Sequence, residues 1–186
     1  MKKAELLERL AENPVIAAVR EEGFQEAVSS SAGVIFCLSA NILQLPDCVR
    51  AAHEADKAIF VHIDLADGVG RDRAGLAYLA SLGVDGVIST RTQLVRQARE
   101  VGLLSVQRFF ALDSQGLASM EETLASARPD LVEIMPGVIG KVIAKLAVGE
   151  TPVIAGGLIE TKKEVCSALE HGAIAVSTGK TELFDI

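Results

Sequence analysis

Eight short apolar runs recur along the chain at nearly regular intervals, and this spacing restricts the fold more than any other feature. The runs are Val15–Val19, Val34–Leu38, Ala58–Leu65, Val84–Ile88, Leu103–Val106, Leu131–Ile134, Val153–Ala155 and Ala173–Val176. Their starts lie about 19 to 28 residues apart. A βα repeat of that length implies parallel strands joined by right-handed crossovers. Aromatic residues make up only 4% of the chain and Trp is absent. The core must therefore consist of Val, Ile, Leu and Ala, the composition of strands buried on both faces by helices.

The segments between the runs read as helices. From Arg91 to Val101, Leu94, Val95, Ala98 and Val101 share one face, while Gln93, Arg96, Gln97, Arg99 and Glu100 fall elsewhere. Thr90 with Gln93, and Thr161 with Glu164, have the spacing of capping boxes, and Gly102 and Gly172 stand where the two helices should stop. A first helix over about Lys3–Glu12 precedes the first strand and is placed to close a barrel floor. Eight βα units in a single domain over 1–186 predict a compact α/β fold, a TIM-like (β/α)8 barrel. Only Lys180–Ile186 follow the last run, so the last helix must be vestigial or missing. An open doubly wound sheet is the alternative.

The formal net charge of −7 argues against bulk attraction to nucleic acid or an anionic membrane, while leaving room for a local basic face. No apolar run approaches the ~20 residues needed to span a bilayer. Glu5, Glu8, Arg9 and Glu12 interrupt any signal-peptide core. A cytoplasmic protein without membrane contact is expected. Cys37, Cys48 and Cys166 show no metal-site spacing and read as structural.

In barrels the chemistry sits at the C-terminal ends of the strands. Several runs here end in polar residues: Arg20, Asp64, Ser89 and Thr90, Gln107 and Arg108, and Glu133. Alternation along a strand turns His62, Asp64 and Glu133 toward the barrel axis, with Arg20 pointing inward after Val19. This set is either a ligand site or a buried ion-pair cluster such as Arg20 with Glu133, since unpaired burial costs several kcal/mol per charge. The last two strands are more specific. Gly156 and Gly157 follow the seventh, and Ser177, Thr178 and Gly179 follow the eighth, where barrels commonly hold phosphate. Tight turns explain the glycines equally well taken singly. The spacing of His62 and Asp64 is a weak metal signal, no nucleophile triad stands out, and Lys180 alone among the lysines falls near a strand end. Neither a catalytic residue, a metal nor a cofactor is expected.

Several stretches become recognisable together: Pro14–Arg20, Phe60–Leu65 with Gly68–Asp72, Gly86–Thr90, Gly102–Phe110, Val132–Gly137, Ile154–Leu158 and Gly172–Thr178. With them the chain, from about Asn13 to Leu183, resembles the glycerol-3-phosphate-responsive antiterminator family, which regulates the glycerol uptake operon. The resemblance implies a TIM-barrel-like fold, no enzymatic activity, binding of glycerol 3-phosphate, and binding of leader messenger RNA to prevent premature termination. It also implies a Gly-Asp-type turn after the second strand, where this chain has Ser39-Ala40-Asn41. Asn41 can keep a hydrogen-bonding role but not a carboxylate's charge.

On this reading Gly156, Gly157, Ser177, Thr178 and Gly179 hold the phosphate, and Arg20, Asp64, Ser89 and Glu133 address the glycerol hydroxyls or one another. Arg71, Arg91, Arg96, Arg99 and Arg108 are candidates for the RNA face, with Arg73 near them and Phe109-Phe110 as a stacking platform. Solvated helix faces and ordinary core packing explain the same residues. Two other functions fit the pocket: a phospho-sugar isomerase-type enzyme using Asp64 and Glu133 as acid and base, and a sensor that signals to a protein partner. The oligomeric state, a homo-oligomer included, is left open.

Overall fold

The computed structural model describes residues 1–111 and 114–186. Helix α1 (Lys3–Glu12) leads into β1 (Val15–Val19), α2 (Phe24–Ser29), β2 (Val34–Cys37), α3 (Leu45–Glu54) and β3 (Ala58–His62). A 3-10 turn over Ile63–Leu65 precedes α4 (Arg73–Ser81), β4 (Gly86–Ser89), α5 (Thr92–Glu100) and β5 (Leu104–Phe110). Then come α6 (Ser114–Ala127), β6 (Leu131–Met135), α7 (Gly140–Ala147), β7 (Val153–Gly156), α8 (Lys162–Glu170) and β8 (Ala175–Thr178). The strands pair in chain order, all in parallel, and β8 returns to β1 to close a barrel. The open-sheet alternative is thereby removed. Only a 3-10 turn, Thr181–Leu183, stands where an eighth crossover helix would follow β8. Leu183 and Phe184 are buried in the outer core and cover the space such a helix would fill.

Strand alternation divides the core into two shells. Val15, Ala17 and Val19 of β1, like Ile59 and Val61 of β3, pack outward beneath the helices. Ile16, Phe36, Phe60, Ile88, Val106 and Ile154 fill the barrel itself. The Phe36 and Phe60 rings lie 5.6 Å apart. Gly86 makes room for them, because a Cβ there would strike the Phe60 ring. Leu6 and Leu10 of α1 pack against the inner shell and close the floor. Burial of each such side chain contributes roughly 1.5–3 kcal/mol.

Local signals hold where nothing competes with them. Thr161 and Glu164 form a reciprocal capping box at α8. Gly102 and Gly172 end their helices at φ 80° and 99°. Two expectations change. The third apolar run leaves the strand at His62, so period-two alternation stops before Asp64. Thr90 does not cap α5: its N–H and hydroxyl both donate to Asp64, at 2.7 and 3.2 Å. A carboxylate accepts more strongly than a neutral hydroxyl pairs with a helix N–H.

His62 ends β3 inside the barrel, 3% exposed. Its Nδ1 lacks a hydrogen-bond partner and lies 4.0 Å from the Asp64 carboxylate. Burial first, and then the Arg108 cation, push its pKa down from 6.5 to about 4. Native His62 therefore refuses a proton that the unfolded chain accepts. Stability should fall as pH drops from about 6.5 and level off below about 4. Between pH 7 and pH 5 the loss should be about 2 kcal/mol, and His62→Gln should remove it. Urea unfolding at the two pH values checks this; an equal loss in both proteins would contradict it.

Candidate functional site

The barrel mouth holds a buried charge cluster drawn from three strands. Alternation carries Arg108 of β5 and Glu133 of β6 inward, and the two are register partners. Arg108 Nε donates to Glu133 Oε2 at 2.5 Å, with the side chains 7% and 0% exposed. Ser177 of β8 donates its hydroxyl to Glu133 Oε1 at 2.6 Å. Both carboxylate oxygens are therefore engaged. Gly156 makes this contact possible: a Cβ there would lie 2.5 Å from Glu133 Oε1 and 2.6 Å from Ser177 Oγ.

Above the cluster is a cavity of about 380 Å³, lined by Arg108, Glu133, Ser177 and the loops after β7 and β8. That volume suits a small ligand. Gly157 and Gly179 open the backbone to it. Gly157 (φ 73°) and Leu158 (φ 59°) are both left-handed. For Leu this conformation is a costly one, held by the surrounding loop. Thr178 Oγ1 donates to Ile159 O at 2.8 Å and accepts from Lys180 N at 3.1 Å, which ties the two loops together. Lys180 Nζ meets Glu160 Oε1 at 3.4 Å on the rim.

The sequence candidates thus separate. Glu133, Gly157, Ser177, Thr178 and Gly179 line one cavity, with Gly156 directly behind it. Arg20 does not pair with Glu133; it is exposed beyond the end of β1 and lines a separate hollow with Ser39 and Asn41. Arg108 takes the place expected of Arg20, and so it is not on the outer surface with Arg96 and Arg99. Asp64 and Ser89 bracket two loops: Asp64 accepts from Ser89 Oγ at 3.0 Å and pairs with Arg91 at 3.5 Å, while Ser89 Oγ accepts from Arg91 N at 3.0 Å. Arg91 therefore stands at the mouth. Phe109 packs on the core and Phe110 is half exposed. Arg71, Arg96 and Arg99 are exposed.

After β2, Asn41 Oδ1 accepts from Leu43 N at 2.9 Å, and Asp67 exchanges backbone bonds with Ala40 and Ile42. The amide thus caps a turn, a task that needs no charge. Burial holds the Cys37 thiol up at about 12, in keeping with a core role. Among the described residues no group of three His, Cys, Asp or Glu is arranged to hold a metal. No helix there is long and apolar enough to cross a membrane. Sequence reasoning missed Lys180 and Glu160 as a rim pair; their loop positions gave no periodic signal.

The chain is 32% identical over 184 residues to the Escherichia coli protein YgcP, which is described as uncharacterized, covering 97% of this chain and 96% of that one. Its fold matches the crystal structure of a glycerol uptake operon antiterminator regulatory protein from Listeria monocytogenes, with TM-score 0.85 and 30% identity over 90% and 92% of the two chains. A glycerol uptake operon antiterminator-related protein from Thermotoga maritima matches with TM-score 0.82 and 31% identity, over 91% and 96%. The family model described as glycerol-3-phosphate responsive antiterminator matches residues 15–184, and the chain belongs to that family.

Proposed function

We propose that this protein is a glycerol 3-phosphate sensor that controls transcription by binding the leader transcript of a glycerol uptake operon. The observation that carries the ligand half is the mouth cavity, where Arg108 and Lys180 flank the backbone of Gly157 and Gly179. The phosphate would sit against these glycines and Lys180, exchanging the exposed Glu160 carboxylate for a phosphate oxygen. The glycerol hydroxyls would meet Arg108 and Ser177, a donor–acceptor set that Glu133 holds in place from behind. Membership of an antiterminator family supports the regulatory half.

The acid–base alternative finds less support. Glu133 accepts from Arg108 and Ser177, and Asp64 from Ser89, Thr90 and Arg91. Glu133 lines the mouth cavity and Asp64 does not, so the two carboxylates do not flank a common substrate. The buried Lys57 lies at the far end of the barrel, donating to Ser30 O and Ala32 O. A Schiff base there would have no access to the mouth.

Gly157→Val should weaken glycerol 3-phosphate binding at least tenfold by calorimetry, about 1.4 kcal/mol. Its Cβ would meet Met135 Cε at 2.7 Å, so Gly179→Val is the milder companion. Unchanged affinity in both variants would rule out this cavity. Arg108→Gln should destabilise the fold by about 3–5 kcal/mol, because it strands Glu133. Adding Glu133→Gln should recover most of that loss in denaturant unfolding. Purified protein should not interconvert or cleave small sugar phosphates; turnover at enzyme-like rates would overturn the sensor reading.

A further inference from the structure

A cavity larger than that of the mouth lies at the opposite end of the barrel. It is a cleft of about 860 Å³ between α5, α6 and α7, and it runs into a second of about 560 Å³. Lys3, Arg99, Arg128 and Lys145 line the first, with Asp130 and Glu150 beside them, and Arg96 joins Arg99 and Arg128 along the second, with Glu100, which Arg73 engages. Loops at this end of a β/α barrel ordinarily serve stability. Arg96 and Arg99 help to cap the C-terminal end of α6 through its carbonyls, but ion pairing would give these arginines carboxylate partners, and the chain has 25 acidic residues against 18 basic ones. They have none among the described residues. Arg96 donates to Ser126 O at 3.1 Å, and Arg99 donates to Arg128 O. Each guanidinium is thus aimed by one carbonyl and keeps its remaining donors. The nearby Asp130 Oδ2 is already held by the Ser105 N–H and hydroxyl. Elsewhere Arg9, Arg50, Arg73, Arg91 and Arg108 meet a carboxylate, while Arg20 and Arg71 meet none among the described residues.

Arg128 adds an independent sign. It ends α6 at φ 49°, a left-handed position that glycine fills at no steric cost. The left-handed backbone costs an arginine more than a glycine, whereas its charge suits both the C-terminal end of a helix and an anion. Apolar Leu124, Pro129 and the exposed Val148 also line the cleft. It carries no aromatic ring on which a base could stack.

We propose that this basic cleft is the docking surface for the phosphodiester backbone of a single-stranded RNA. The proposal rests on the reading of a transcript as the partner and gives that partner a place. A cleft lined by cations and without aromatics holds phosphates and ribose rather than bases. Binding through the cleft is accordingly steep in salt and tolerant of sequence. The mouth and the cleft occupy opposite ends of the barrel, so RNA and sugar phosphate do not compete for space.

The test uses the full chain and a fluorescein-labelled single-stranded RNA of about 16 nucleotides, followed by anisotropy between about 50 and 200 mM salt. Arg99→Gln/Arg128→Gly should bind about tenfold more weakly at the lower salt, with a salt slope shallower by about 1.4, or 0.7 for each lost cation. Arg128→Gly alone relieves the left-handed strain, so its melting temperature should hold or rise while its RNA affinity falls. Lys3→Gln, on a different helix, should lower the slope by about 0.7. Glycerol 3-phosphate affinity should be unchanged in all three. Unaltered RNA affinity in the double variant, or weaker binding at an unaltered salt slope, would overturn this location while leaving RNA binding intact. Failure of the unsubstituted protein to bind RNA, with or without glycerol 3-phosphate, would instead overturn the transcript reading and the cleft with it. Ligand calorimetry reports on the mouth independently of either result.

Discussion

A carboxylate fully enclosed in the barrel is the constraint on which the mouth is built. Glu133 is inaccessible to solvent. Losing water around an ionised group costs several kcal/mol even after relaxation. The cost is tolerable only because a guanidinium and a hydroxyl reach it from neighbouring positions on the barrel wall. Three sequence choices follow from that one need: an arginine two residues beyond Val106, a serine at the second-last position of β8, and no side chain at residue 156. The polar ring also stops the apolar filling of the barrel short of its upper end. A space remains there that hydrophobic packing would otherwise close.

Much of this was legible in the residues. The eight strands and their closed order follow from the repeat length. The box at Thr161 and the stops at Gly102 and Gly172 are local, and nothing distant competes for them. Glu133 pointed inward because the strand around it is regular. The same alternation, run along Leu104, Val106 and Arg108, would have placed Arg108 beside it. That arginine sits in a cluster of external arginines, and the cluster obscured its own strand phase.

Other features depended on distance in space rather than spacing in sequence. Asp64 draws Thr90 away from the helix it should cap because a turn brings a charged acceptor to it. No window of sequence around Thr90 contains that carboxylate. Arg20 lies one residue past the end of β1, where alternation no longer governs direction. The cleft between α5, α6 and α7 gathers Lys3, Arg99, Arg128 and Lys145 from four elements or loops, so no linear charge run announces it.

The closure of β8 onto β1 has a bearing on how the molecule is made. That seam joins the two most distant strands in the sequence, and the residues after β8 then bind the chain near β1 and β2 through Asn13 and Ser31. On the ribosome β1 is synthesised before β8 and waits, its hydrogen-bonding edge unsatisfied, until β8 has emerged. An unfinished chain therefore carries two open sheet edges, each able to pair with a neighbour. Because such long-range pairing is intrinsically slow, the joining of the first and last strands is the step at which a nascent chain either becomes a barrel or meets another copy of itself.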